Sequence, residues 1–160
     1  MSTVLVTGMS GTGKSTALEL LEERGHHVVD TDTDAWSEWV TLPDGSLDWI
    51  WREDAMARLL DVPRDDTLFV AGCKSNQGTF YPRFDQIVLL SAPAYVLLAR
   101  IAARETNAYG KSKTERDLIL RHLTEVEPRL RATATIEIDA SAPIEDVVDQ
   151  LEALAHERRR

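Results

Sequence analysis

Residues 8–15 read Gly8-Met9-Ser10-Gly11-Thr12-Gly13-Lys14-Ser15 and follow directly on an apolar run, Val4-Leu5-Val6. Few octapeptides leave a chain less freedom. Glycines at this spacing let the backbone curl until successive N–H groups converge on phosphate oxygens. Lys14 then reaches the β- and γ-phosphates, and the Ser15 hydroxyl stands where Mg²⁺ is held. From Ser15 to Arg24, Leu18 and Leu21 fall on one helical face, and Gly25 occupies a C-terminal cap position. The N-terminus of that helix, with Thr16 in its first turn, adds the positive end of a dipole to the same anion site. Strand, loop and helix in this order predict a bound nucleoside triphosphate, contacted by Gly8, Ser10, Gly11, Thr12, Gly13, Lys14, Ser15 and Thr16.

A chain of 160 residues, 43% hydrophobic, can bury one core, so a single domain over 1–160 is expected. A first strand beginning at Thr3 argues against a signal peptide, and no apolar run reaches membrane-spanning length. The one cysteine, Cys73, excludes an internal disulfide and suits a reducing cytoplasm. A net charge of −9 argues against a nucleic-acid partner, because neutralising a phosphate backbone takes a basic surface.

That charge is unevenly spread. Residues 30–66 carry eleven acids against Arg52, Arg58 and Arg64, whereas residues 100–116 carry Arg100, Arg104, Lys111, Lys113 and Arg116 against two acids. Asn107, Tyr109 and Gly110 lie inside the basic stretch and mark a loop rather than a helix face. A basic loop in a phosphate-binding chain is expected to act as a lid, spanning 104–114, with Arg104, Lys111 and Arg116 as its cations.

Strands and helices alternate along the rest of the chain. Short apolar runs at Val28–Asp30, Thr67–Ala71, Ile87–Leu90 and Ile136–Ile138 read as strands. Between the last two, Ser91 and Pro93 are expected to open a helix through Arg104, and Thr114 with Asp117 forms a capping-box pattern ahead of Ile119, Leu123 and Val126. Ser141 and Pro143 open a last helix carrying Ile144, Val147, Val148, Leu151 and Leu154. Five strands separated by helices predict an α/β fold with a five-stranded parallel sheet covered on both faces.

Residues 33–62 interrupt that alternation and hold all four tryptophans, Trp36, Trp39, Trp49 and Trp51. Leu42-Pro43-Asp44-Gly45-Ser46 is a turn, compatible with a hairpin or with two helices. From Leu47, the spacing of Ile50, Trp51, Ala55 and Leu59 is helical. Most of these indoles are expected to form the small core of a helical or hairpin substrate-binding insertion, with one contacting an acceptor.

The order of these parts resembles the small P-loop kinases: the nucleoside-monophosphate, shikimate, gluconate and dephospho-coenzyme A kinases. The resemblance rests on Gly8–Ser15, on Asp30-Thr31-Asp32 after the second strand, on the insertion and basic lid, and on Asp139-Ala140 after the last strand. It implies phosphoryl transfer from ATP to a small molecule. In shikimate kinases the comparable acidic pair assists Mg²⁺ and engages the attacking hydroxyl, which assigns Asp30 with Ser15 to the metal and Asp32 to the acceptor. The stretch Asp139–Pro143 resembles the loop under the adenine ring, which assigns Asp139 and Ala140 to the nucleotide, and Trp51-Arg52 resembles the aromatic–arginine step that binds the acid group of shikimate. Where shikimate kinases carry a three-glycine run, this chain reads Gly72-Cys73-Lys74; the following stretch, similar to gluconate kinases, supplies Lys74, Asn76, Gln77, Tyr81 and Arg83, a polar set suited to reading hydroxyls.

Independently of any family, acids leaving the second strand lie at the carboxyl edge of a parallel sheet, where ligands bind. The expected chemistry is transfer of the γ-phosphoryl group of MgATP to a hydroxyl, with Lys14, Asp32 and Arg104 catalytic and Arg52, Gly72, Lys74 and Arg83 choosing the acceptor. A nucleoside-monophosphate acceptor would need arginines around a second phosphate, where this insertion is acidic. A nucleotide-binding regulatory NTPase is the alternative of another class. A small-molecule acceptor, no nucleic acid, no membrane, and a monomer or homodimer complete the expectation.

Overall fold

Residues 2–104 and 111–157 are described in a computed structural model of the chain. The pleat of strand β1 (Thr3–Thr7) sends Val4 and Val6 to one face of a sheet and Leu5 to the other, all three fully buried. After α1 (Lys14–Glu23) come β2 (His27–Asp30), β3 (Ser37–Thr41), β4 (Leu47–Trp51), α2 (Glu53–Asp61) and β5 (Leu68–Ala71). A 3-10 helix (Gln77–Arg83) leads into β6 (Gln86–Ser91), followed by α3 (Ala94–Ala103), α4 (Lys113–Glu125), α5 (Glu127–Thr133), β7 (Ile136–Asp139) and α6 (Ile144–Glu157).

The expected five-stranded parallel sheet is present, in the order β2-β5-β1-β6-β7. Its register aligns Asp30 with Ala71, Val6 with Ala71 and Val88, and Ser91 with Asp139. The phosphate loop, Asp30, Gly72 and Asp139 therefore all leave the same edge. On one face Val4, Val6 and Phe69 pack with Leu18, Leu21, Val148 and Leu151 of α1 and α6. On the other, Leu5, Val70 and Ile87 pack with Trp51, Met56 and Leu59. Among the described residues, no helix is long and apolar enough to cross a membrane.

Several local expectations are corrected. The insertion is an antiparallel hairpin, β3 with β4, followed by α2, so the helical spacing from Leu47 holds only beyond Trp51. Ser91 ends β6 instead of capping a helix, and Pro93 takes the N-cap position of α3. The capping box sits at Ser112 and Glu115, not Thr114 and Asp117: the Glu115 amide donates to Ser112 Oγ (3.1 Å), which donates to Glu115 Oε1 (3.0 Å). Residues 105–110, the centre of the expected lid with Asn107, Tyr109 and Gly110, lie outside the described residues.

Candidate active site

The loop from Gly8 to Ser15 closes on itself before any ligand is considered. Thr12 is buried and its hydroxyl donates to the Met9 carbonyl at 2.9 Å. Gly11 has φ +87°, and a Cβ there would stand 2.9 Å from the Leu97 carbonyl oxygen, so any other residue would push α3 away. Lys14 folds back onto the loop and donates to the carbonyls of Gly8 (2.7 Å) and Met9 (3.1 Å). Burial pushes its ammonium below the ordinary lysine pKa; Cys73, Asp32 and Asp30 pull the other way, and Lys74 adds to the lowering. A desolvated ammonium that donates to neutral carbonyls is poised for a stronger anion.

At the neighbouring strand end, Ser15 Oγ donates to Asp30 Oδ2 at 2.8 Å, and Asp30 Oδ1 accepts from the Asp32 amide at 3.1 Å. A hydroxyl and a carboxylate in contact are hard oxygen donors of the kind Mg²⁺ takes, with phosphates and water completing its shell. Among the described residues no group of three or more His, Cys, Asp or Glu is placed to hold a metal ion.

Asp32 turns the other way. Its Oδ1 lies 2.8 Å from Lys74 Nζ, and that ammonium sits 3.8 Å above the centre of the Trp49 ring. The Lys74 side chain is only 8% exposed while Asp32 is 48% exposed, so the pair presents its carboxylate outward. Trp39 stacks on Trp49 with centroids 5.9 Å apart, and Trp49 Nε1 is buried without a hydrogen-bond partner. The cleft itself, about 550 Å³, is lined by the loop from Ser10 to Thr16, by Asp32, Arg100 and Arg104, and by Ala140 and Ile144.

Thr31 explains how the hairpin is held beside this cleft. Its hydroxyl accepts from Trp51 Nε1 (2.8 Å) and donates to the Ala71 carbonyl (2.7 Å), and all of Trp51 is buried. A Cβ on Gly72 would fall inside contact distance of Thr31 Oγ1 and 3.1 Å from Trp51 Nε1. Gly72 therefore keeps strand β5 and the hairpin together. Asn76 clamps the backbone of Trp51 from both sides, accepting from its amide (3.1 Å) and donating to its carbonyl (3.0 Å). Gln77 is buried between Thr7, Tyr81 and the Lys74 amide. These two amides, read from the sequence as hydroxyl-sensing groups, are engaged in holding the scaffold.

Other expected residues stand differently. Arg52 donates to Glu38 (2.9 Å) and to the Asp34 carbonyl (2.8 Å), both within the insertion. Arg83 does not join the cleft: it pairs with Asp61 just before β6 begins, at the edge of the sheet opposite the phosphate loop. Its expected contact with an acceptor is therefore corrected. Lys111 and Arg116 are exposed and are absent from the cleft lining, whereas Arg104 lines it. Asp139 turns the loop after β7, accepting from the amide (2.9 Å) and hydroxyl (2.5 Å) of Ser141; those bonds, then Arg100, hold its carboxyl below the usual range. Ala140 supplies the cleft wall.

Arg100 is the residue that sequence reasoning missed. It donates to the carbonyls of Ala140 (2.6 Å) and Gly11 (3.3 Å), tying the phosphate loop to the loop after β7. Its spacing of four from Arg104 was the available signal, since residues four apart share a helix face.

A glycine-bent phosphate loop between β1 and α1, at the carboxyl edge of a β2-β5-β1-β6-β7 sheet, defines a P-loop nucleotide-binding fold. The family model described as AAA domain matches residues 4–121, and the chain belongs to that family. Among solved structures, it is similar to a shikimate kinase from Bacteroides thetaiotaomicron, with TM-score 0.68 and 19% identity over 96% of this chain and 97% of the other. A shikimate kinase from Acinetobacter baumannii in complex with shikimate gives TM-score 0.69 and 16% identity over 99% and 94%. A gluconokinase from Sinorhizobium meliloti gives 0.63 and 18% over 99% and 95%. No curated protein sequence matches the chain. The fold is that of the small-molecule P-loop kinases.

Proposed function

We propose that the protein is a phosphotransferase that moves the γ-phosphoryl group of MgATP onto a hydroxyl of a small molecule. The joint placement of Lys14, Ser15 and Asp32 around one cleft carries this reading. Phosphoryl transfer asks little covalent chemistry of a protein; positioning and charge dominate. Lys14 turns from the loop carbonyls to the β- and γ-phosphates and spreads the charge that develops on the transferred group. Ser15 and Asp30 would hold Mg²⁺, which when bound neutralises phosphate charge. Asp32 accepts a hydrogen bond from the acceptor hydroxyl and aligns its oxygen with the γ-phosphorus. As that O–P bond forms and the bond to the β-phosphate oxygen breaks, Asp32 takes the proton.

Lys74 fixes the direction of the Asp32 carboxylate, and Arg52 and Gly72 hold the 33–62 insertion that shapes the acceptor end. Arg100 and Ala140 shape the nucleoside end beside Asp139. Arg104, on the cleft wall, supplies a cation toward the phosphates. The same reading treats 1–160 as one domain, acting in the cytoplasm as a monomer or homodimer without nucleic acid. A nucleoside-monophosphate acceptor would need arginines at the second phosphate, and Arg52 is already engaged by Glu38. The test is ADP formation from MgATP with sugars, polyols, aminocyclitols and nucleoside monophosphates, each against the acceptor-free rate. Stimulation by a hydroxyl compound supports the reading; stimulation by monophosphates alone overturns it.

A further inference from the structure

The turn from Lys74 to Gln77 carries the chain from β5 into the 3-10 helix, and each of its side chains is tied to another segment. Lys74 holds Asp32, the Ser75 hydroxyl donates to Asp48 at 2.6 Å, and Asn76 clamps the Trp51 backbone. The turn also closes on itself twice. The Gln77 backbone amide donates to the Lys74 carbonyl at 3.2 Å, and the Lys74 backbone amide donates to Gln77 Oε1 at 2.9 Å.

Gln77 is 2% exposed, and its carboxamide can sit only one way round. A backbone N–H bonds to the oxygen end, so the Lys74 amide fixes Oε1 and sends Nε2 toward Thr7 Oγ1 (3.1 Å) and Tyr81 Oη (3.0 Å). Both side-chain N–H hydrogens are thereby used. Thr7, fully buried, is the last residue of β1, and the phosphate loop begins at the next residue, Gly8. A bonded line therefore runs from the root of the phosphate loop through Thr7, Gln77 and Lys74 to Asp32. The sheet alone does not set that distance. Asp32 lies beyond the end of β2, an edge strand that β5 separates from β1, and is 48% exposed.

We propose that Gln77 is a positioning residue for phosphoryl transfer: bonded to Thr7 through its amide nitrogen and to the Lys74 backbone through its oxygen, it sets the place of the Lys74–Asp32 pair relative to the phosphate loop. This role rests on the phosphotransferase reading above and adds to it a residue that lies outside the cleft lining.

The test follows label from γ-labelled MgATP into whichever sugar, polyol or aminocyclitol stimulates ADP formation most, with KM for ATP and melting temperature measured beside it. Thr7→Val keeps the branched shape and removes one bond of the line; Thr7→Ser keeps the hydroxyl. Transfer kcat is expected to fall about tenfold in Thr7→Val and to stay near wild type in Thr7→Ser, with KM for ATP unchanged in both. Gln77→Met removes all three side-chain bonds and is expected to lower kcat between about tenfold and 10²-fold. Added to Lys74→Met it is expected to cost nothing further, because both changes act on one line. A merely structural Gln77 would lower the melting temperature and leave kcat per folded molecule unchanged in Gln77→Met and Thr7→Val alike, which overturns the proposal. Losses that multiply in the double variant, or an effect confined to KM for ATP, overturn it as well. Should Gln77→Met fail to fold, Thr7→Val, alone and combined with Lys74→Met, decides the same question. All of these outcomes leave the phosphotransferase reading standing, since the wild type transfers label. If the wild type labels no hydroxyl compound, that reading falls, and the role of Gln77 with it.

Discussion

The Lys74 ammonium lies 2.8 Å from the Asp32 carboxylate and joins the chain segments that leave β2 and β5. Neither residue is part of the phosphate loop, yet the pair places an outward carboxylate on the rim of the same cleft. Lys74→Met removes the ammonium and keeps most of the stem packed on Trp49. Acceptor-stimulated kcat is expected to fall on the order of 10²-fold, the cost of a reacting group displaced by about an ångström, with KM for ATP little changed. Steady-state kinetics with both substrates varied separates the two parameters.

Lys14 predicts opposite effects on stability and on binding. Its pKa is lowered chiefly by burial, so the folded state binds fewer protons at this group than the unfolded chain does. Stability therefore rises with pH through the window between the folded pKa and the ordinary lysine value. Lys14→Met removes that penalty. The free variant is expected to melt no lower than the wild type, while its stabilisation by MgATP is lost and turnover drops about 10²–10³-fold. Thermal melts with and without MgATP check this.

Arg100→Ala breaks the link between Gly11 and Ala140 without touching Asp32. The expected result is a rise in KM for ATP of roughly tenfold, since each charge-assisted bond to a carbonyl contributes about 1.5–3 kcal/mol. Acceptor KM is expected to hold. An equal rise in both would mean that Arg100 supports the whole cleft instead of the nucleotide end.

Glu152 gives a pH-dependent prediction away from the site. Arg24, and after it His26, hold its carboxyl below the usual value. The stability it contributes is complete above the ordinary glutamate range and is lost as pH falls through the lowered pKa. Urea midpoints of wild type and Glu152→Gln are expected to differ at about pH 7 and to converge as pH falls through the lowered carboxyl pKa.

How much of this was legible in the sequence follows from where each interaction is encoded. The phosphate loop is built from its own backbone, so Gly8 to Ser15 could be read residue by residue, and the sheet followed from five apolar runs. The hairpin could not be read in the same way. Trp51 is in place because Thr31 and Asn76, twenty and twenty-five residues away, hold its indole and its backbone. No local period records that. Asn76 and Gln77 looked like ligand-reading amides for the same reason, since their partners are set by tertiary contacts. Arg83 was misplaced because a 3-10 helix carries the chain to the far edge of the sheet before β6 begins.

The central claim is transfer of phosphate to a hydroxyl aligned by Asp32, and radiolabel from γ-labelled ATP, counted in the isolated acceptor, measures it directly. Wild type and Asp32→Asn are compared with the best hydroxyl acceptor of the panel of sugars, polyols and aminocyclitols, at saturating MgATP. The amide keeps the size of Asp32 and loses its charge, so transfer is expected to fall about 10²–10⁴-fold while affinity for ATP is retained. Label reaching the acceptor equally fast in both proteins would contradict the account.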